Sequence, residues 1–275
     1  MTLRLRGAAS AAIASAVAGR RHPVRVAGVV RGGLYLADGH EVVAVVARDA
    51  TRLPNAVILP MPARDDPFRS VGARSQASIG EYTVCAEGLR IEIDSTWDPR
   101  PDIGTLDRAM LARRLSTLGD LMTGAGPSGI DLPWRLPEAC ARRDLDRALL
   151  AAGSLLGRGP GLTPSGDDLL SGFLAAMRLL GGDVVVTDAC AARITALSPC
   201  RTTALSATLL RLAAGGQVPG EVAGLLCALA DGQPELEAAV ARLCAVGHTS
   251  GVDLAWGVLL GGYAALAAGP DFRRW

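Results

Sequence analysis

Apolar residues in the first third of the chain alternate, or cluster in runs of five to seven, as strands require. VRVAGVV, GLYLA, EVVAVVA and AVILP fill residues 24–60, and SIGEYTVCA and GLRIEID continue the pattern to Asp94. Turn residues separate the runs: Gly32-Gly33, Asp38-Gly39, Leu53-Pro54-Asn55 and Glu87-Gly88. LADGHEVVAV sets Asp-Gly between two apolar runs, which predicts a hairpin. CAEGLRIEID predicts a second, with Leu89, Ile91 and Ile93 on one face and Arg90, Glu92 and Asp94 on the other. A small antiparallel sheet or barrel is expected.

Beyond STWDPRPDIG the apolar spacing becomes helical. Helices are predicted over residues 103–122, 144–157, 165–181, 187–197, 201–214, 218–230, 234–246 and 250–268. GAGPSGIDLPWRLP, residues 124–137, reads as a loop, and VVVTD at 184–188 is too brief to make a parallel sheet. Without βαβ alternation a doubly wound nucleotide fold is unsupported. The fold class is α+β by segregation: a β-rich part over residues 1–100, with a short leading helix, and an α-helical part over 101–275.

The leading segment, MTLRLRGAASAAIASAVAGRR, imitates a signal peptide in its basic residues, small apolar run and A-x-A pattern. Ser10 and Ser15 interrupt the run, and only Ile13 and Val17 are sizeable, so an Ala-rich helix packed on the body is expected. The apolar run from Leu254 to Gly269 is shorter than the ~20 residues of a bilayer span and reads as a buried helix.

Composition narrows the functions. The net charge of +1 carries no nucleic-acid or membrane footprint. All 28 basic residues are Arg, which excludes a Schiff-base lysine or a lysine P-loop and makes any single Arg weak evidence. Six scattered cysteines form no C-x-x-C, and His22, His40 and His248 stand far apart, so there is no zinc signature. Nucleotide and flavin signatures are also missing. Reduced thiols and a cytoplasmic location are expected.

One stretch exceeds what packing needs. In GLTPSGDDLLSGFL, Ser165 reads as an N-cap with Asp168 three residues on, a capping box with Asp for Glu, and Asp167 adds charge in the first turn. Upstream, Gly157, Gly159 and Gly161 alternate as in anion-cradling loops. The pattern returns at HTSGVDLAWGVLL: Ser165, Gly166, Asp168, Leu169, Gly172 and Leu174 match Ser250, Gly251, Asp253, Leu254, Gly257 and Leu259, six identities in ten positions. Packing alone could repeat a helix start. The functional alternative is a local pseudo-twofold that points both helix N-termini at one small anion. Asp167, Asp168 and Asp253 would repel it unless they turn inward, hold a divalent cation such as Mg²⁺, or accept a substrate amide N–H.

SPCRTTALSATLL supplies a third start, where Arg201 could clamp a carboxylate or phosphate and Thr202 and Thr203 cap or bind. His248, beside Thr249 and the second Ser-Gly, is a candidate general base or a loop-positioning residue. The binding candidates are therefore Gly159, Gly161, Thr163, Ser165, Gly166, Asp167, Arg201, Thr202, Thr203, Thr249, Ser250 and Gly251, and the catalytic ones Asp168, His248 and Asp253.

GLTPSGDD with its upstream glycines, then R-T-T-x-x-S, then GHTSGVD before a glycine-containing apolar helix, resembles the AllH family over residues 157–262. LPNAVIL in the β-rich part looks like that family's N-terminal portion. The resemblance implies a subunit of an oxamate carbamoyltransferase, interconverting oxalurate plus phosphate with oxamate plus carbamoyl phosphate in allantoin breakdown. It also implies partner subunits, with a homo-oligomer compatible. Two other readings stand beside it: a non-catalytic anion-binding or scaffold subunit, and a metal-assisted hydrolase using the three aspartates.

Overall fold

In a computed structural model of the chain, residues 2–127, 131, 133–232 and 235–268 are described. Part of the loop expected at 124–137 (residues 128–130 and 132), the first residue of the helix expected from 234, and the tail from 269 lie outside them. The chain divides into two compact units, Met1–Pro99 and Arg100–Trp275.

The first unit is a closed eight-stranded barrel. Its strands are β1 (Leu3–Ser10), β2 (His22–Val30), β3 (Gly33–Asp38), β4 (Glu41–Val46), β5 (Ala56–Ile58), β6 (Gln76–Gly80), β7 (Thr83–Ala86) and β8 (Leu89–Trp97), in the order β1-β5-β4-β3-β2-β6-β7-β8. Closure comes from β1 running parallel to β8, and β4 and β5 are also parallel. The alternation expected in β8 holds, with Leu89, Ile91 and Ile93 buried in the barrel core and Glu92 and Asp94 exposed. In β4 both faces are covered: Val43 and Val45 fill the core, while Ala44 and Val46 join Ala56 in a second cluster with Tyr35 and Leu53.

The leading segment departs from expectation. Residues 3–10 form a strand, and only Ala14–Ala18 is α-helical (α1), after a 3-10 turn at Ala11–Ile13. Leu3 and Leu5 alternate with Arg4 and Arg6, a period of two that outweighs the helix propensity of the alanines. SIGEYTVCA likewise holds two strands. Between them Glu81 and Tyr82 turn in left-handed conformation (φ 52° and 54°), with their N–H groups donating to the carbonyls of Gly19 and Val17 at 2.8 and 2.7 Å.

Described helices of the second unit are α2 (Arg108–Met122), α3 (Arg135–Ala141), α4 (Leu145–Leu155), α5 (Ser165–Leu179), α6 (Val184–Arg201), α7 (Ala204–Ala214), α8 (Gly220–Ala230), α9 (Leu236–Cys244) and α10 (Ser250–Ala267). Two readings need correction here. Arg135–Pro137, expected as the end of a loop, open a helix that runs on to Ala141, because Leu136, Ala139 and Cys140 bury at helical spacing. Val184–Asp188 opens α6, with Asp183 accepting from Val186 N at 3.0 Å. α10 is the one described helix long and apolar enough to cross a bilayer, and 78% of it is buried inside the protein.

α5 and α10 form the centre of this unit. Ser165–Met177 is buried on every side, including the polar residues Ser165, Asp167, Asp168 and Ser171. The two run side by side in the same direction, and glycines set their spacing. A Cβ on Gly172 would fall on the carbonyl of Leu254, one on Gly257 on that of Leu169, and one on Gly261 on that of Phe173. Gly172 and Gly257 are equivalent positions of the repeated motif, and each meets the residue equivalent to the other's partner. The sequence repeat is therefore a local twofold in space. It extends to the preceding helices: Gly166 packs on the carbonyl of Leu155 in α4, and Gly251 on that of Leu243 in α9.

Candidate functional site

The α5 N-terminus is built differently from the capping box expected. Pro164 is the N-cap, Ser165 is the first helical residue, and no side chain caps the helix. The N–H groups of Asp167 and Asp168 both donate to the carbonyl of Pro164, at 2.9 and 3.1 Å. Because the helix starts one residue earlier than a Ser165 cap allows, its aspartates are released for other partners.

Asp167 turns away from its own helix end. Its carboxylate accepts from Gly157 N at 2.7 Å and from the Thr202 hydroxyl. Gly157 is held at φ 75° with no room for a side chain, since a Cβ would fall on the carbonyl of Arg201. Thr203 caps α7 by accepting from Ser206 N at 3.1 Å and donates to the carbonyl of Leu162 at 2.6 Å. Burial raises the Asp167 carboxyl above its usual range, while Thr202, Gly157 and Ser206 oppose the rise. The R-T-T segment thus ties α7 to the loop before α5 through an aspartate that the sequence presented as a cap.

Asp168 faces the other way, towards α10. Thr163 and Ser250 hydroxyls meet at 3.1 Å, joining the two motif copies directly, and both face the Asp168 carboxyl. Asp168 is 5% exposed, and its Oδ2 is sealed from solvent without a hydrogen-bond partner. Burial is the main cause that pushes its pKa up to about 7; the Ser250 and Thr163 hydroxyls pull down, and the charges of Asp253 and Asp167 add to the rise. Asp253, the equivalent residue of α10, is completely buried.

Above this carboxyl the surface opens. Thr163, Thr249 and Ser250 are half-buried, and Gly159, Gly161, Leu162 and His248 around them are exposed. Gly159 and Gly161 sit at φ 114° and 97°, where a side chain would be strained. The junction can therefore present two hydroxyls and an exposed glycine-containing loop to a small ligand, over a buried acid.

Several candidates are not brought to this point. The Arg201 guanidinium reaches back to the carbonyl of Gly153 in α4, at 3.4 Å, because α6 runs through Pro199 to Arg201 and ends on that side. It lines a groove of about 560 Å³ with Asp146, Arg193 and Leu197. Among the described residues, no three His, Cys, Asp or Glu side chains converge to hold a metal, so Asp167, Asp168 and Asp253 do not form the cluster a metal-assisted hydrolase would use. A second groove, of about 990 Å³, was not foreseen: Trp134, Arg135, Arg142, Arg147 and Leu150 line it, with Arg158 from the glycine loop. The helical spacing of Leu136, Ala139 and Cys140 was the available signal for its wall.

The junction's residues all fall inside one stretch of family similarity. Residues 155–262 match the AllH family, described as oxamate carbamoyltransferase subunit AllH. The match begins at the end of α4 and closes within α10, so it spans both copies of the motif and the R-T-T segment between them. It lies wholly in the helical unit. No solved structure matches the chain.

Proposed function

We propose that the chain serves as a subunit of an oxamate carbamoyltransferase-type enzyme and binds a small anionic substrate where the α5 and α10 N-termini meet. The observation that carries this reading is the 3.1 Å contact between Thr163 and Ser250, which brings the two AllH-matching motifs into one place. Two parallel helix N-termini add their partial positive charges there. Half-buried hydroxyls and the exposed Gly159–Gly161 backbone offer donors to phosphate, carboxylate or amide oxygens. Acting on such a substrate requires positioning and charge stabilisation and needs no covalent nucleophile. His248, exposed at the rim, is a candidate to contact the ligand from solvent.

Carbamoyl transfer from carbamoyl phosphate to oxamate, assayed with the purified chain alone and then with its partner subunits, tests the reading. Activity in either case, abolished by Ser250→Ala, supports it. A chain whose melting temperature does not respond to oxamate, phosphate or carbamoyl phosphate, and that leaves transfer by its partners unchanged, contradicts it. Binding without any effect on transfer would instead favour a scaffold subunit.

A further inference from the structure

An anion placed on Ser250 sits above a buried acid, and the state of that acid decides what Ser250 can offer. The hydroxyl has a single proton to donate. With Asp168 ionised, the Ser250 hydroxyl facing it donates downward and turns its lone pairs to the ligand. With Asp168 protonated, the carboxyl donates to Ser250 Oγ, and Ser250 is free to donate outward to an anionic oxygen. Thr163, which shares the contact at 3.1 Å, is likewise released from donating to a carboxylate, although the carboxyl's single proton goes to Ser250.

The surroundings favour the protonated form once an anion arrives. The charged groups that face Asp168 are Asp167 on its own helix and Asp253 from α10, both carboxylates. Of the other neighbours, the carbonyl of Leu155 from α4 and the stem of Arg158, whose side chain is exposed, lie against Gly166, while the uncharged Thr202 after α6 and Ser206 of α7 attend Asp167. An unpartnered Oδ2, sealed from solvent in a residue only 5% exposed, is costly as part of a charge and far cheaper as the carbonyl oxygen of a neutral acid.

We propose that Asp168 takes up a proton together with the anionic ligand, so that the hydroxyls of Ser250 and Thr163 become donors to it. This rests on the reading above that the junction receives an anion, and it names how that site is regulated. The proton moves from solvent to the carboxyl on binding and returns when the ligand leaves; no bond other than these O–H bonds changes. It also resolves why a helix start meant for an anion carries carboxylates: one is spent on the R-T-T segment, and the other is neutral when the site is filled.

Calorimetry of oxamate binding to the full chain, in two buffers of different ionisation enthalpy at pH 8, counts the protons exchanged. Oxamate is the probe because its own carboxyl stays ionised throughout this range. Net proton uptake is expected, with affinity falling roughly tenfold per pH unit above pH 7. Asp168→Asn keeps a donor to Ser250 and loses both the uptake and the pH dependence. Oxamate binding with no proton uptake overturns the proposal and leaves the anion site standing; no binding of oxamate at pH 6 overturns both. The wild-type measurement in two buffers decides the matter even if the variant does not fold.

Discussion

Asp168→Asn should make the protein more stable at neutral and alkaline pH, against the usual result of altering a buried polar residue. In the folded chain the carboxyl's pKa lies at about 7, against 3.8 in an ordinary setting, with burial the main cause. The sign follows from linkage. The folded state holds the proton more tightly than the unfolded chain, so the stabilisation is complete below pH 3.8 and is lost as pH rises through about 7. Over the whole window the penalty amounts to about 4 kcal/mol, and about 3 kcal/mol of it accrues between pH 5 and pH 8. The asparagine does not titrate, and its amide can donate to the hydroxyls of Ser250 and Thr163 that face this position. Urea unfolding of both proteins at pH 5, 6, 7 and 8 measures the difference, in which the titrations of all other groups cancel. The variant's advantage should widen by about 3 kcal/mol across this series and level off above pH 7. A difference that stays constant, or narrows as pH rises, would show that Asp168 is not held as an uncharged acid and would refute the reasoning.

Other expectations follow from the packing and the turns. Gly172→Ala or Gly257→Ala drives a methyl into a backbone carbonyl of the partner helix, so each should cost about 3 kcal/mol in thermal unfolding despite alanine's better helix propensity. Tyr82→Gly relieves a left-handed residue that is 57% exposed, and should raise the barrel's stability by about 0.5–1 kcal/mol in denaturant titration. Asp183→Ala removes both the α6 cap and the partner of Arg143, and should cost about 1–2 kcal/mol. Arg143→Ala, at an exposed side chain, should cost less than about 1 kcal/mol by the same assay.

Much of this architecture was legible in the residues. The alternation of Leu89, Ile91 and Ile93 marked a barrel strand, and the apolar periodicity placed α5 and α10 to within two residues of their ends. What escaped was decided by tertiary partners. Glu81-Tyr82 carries no Asn-Gly signal, and its left-handed turn is held by carbonyls of Val17 and Gly19 from far along the chain. LRLRGAAS becomes a strand because β8 offers it a parallel edge. The repeat of Ser-Gly-x-Asp-Leu was visible and spoke for two paired helix starts, yet the division of labour between neighbouring aspartates was not. Asp167 and Asp168 are adjacent in sequence, and a helix turns them about 100° apart, one to the R-T-T segment and the other to Ser250. Arg201 shows the converse: its guanidinium donates to the carbonyl of Gly153 in α4, which no local pattern announces.

The central claim is that the two motif copies hold one ligand between them. A double-mutant cycle of Thr163→Val and Ser250→Ala, read as oxamate affinity by calorimetry at pH 6, tests it most directly. If the hydroxyls share the ligand, each single variant weakens binding by about tenfold and the double variant little more, because removing either hydroxyl disables the pair. Losses that simply add, or a loss confined to one variant, would contradict the shared site.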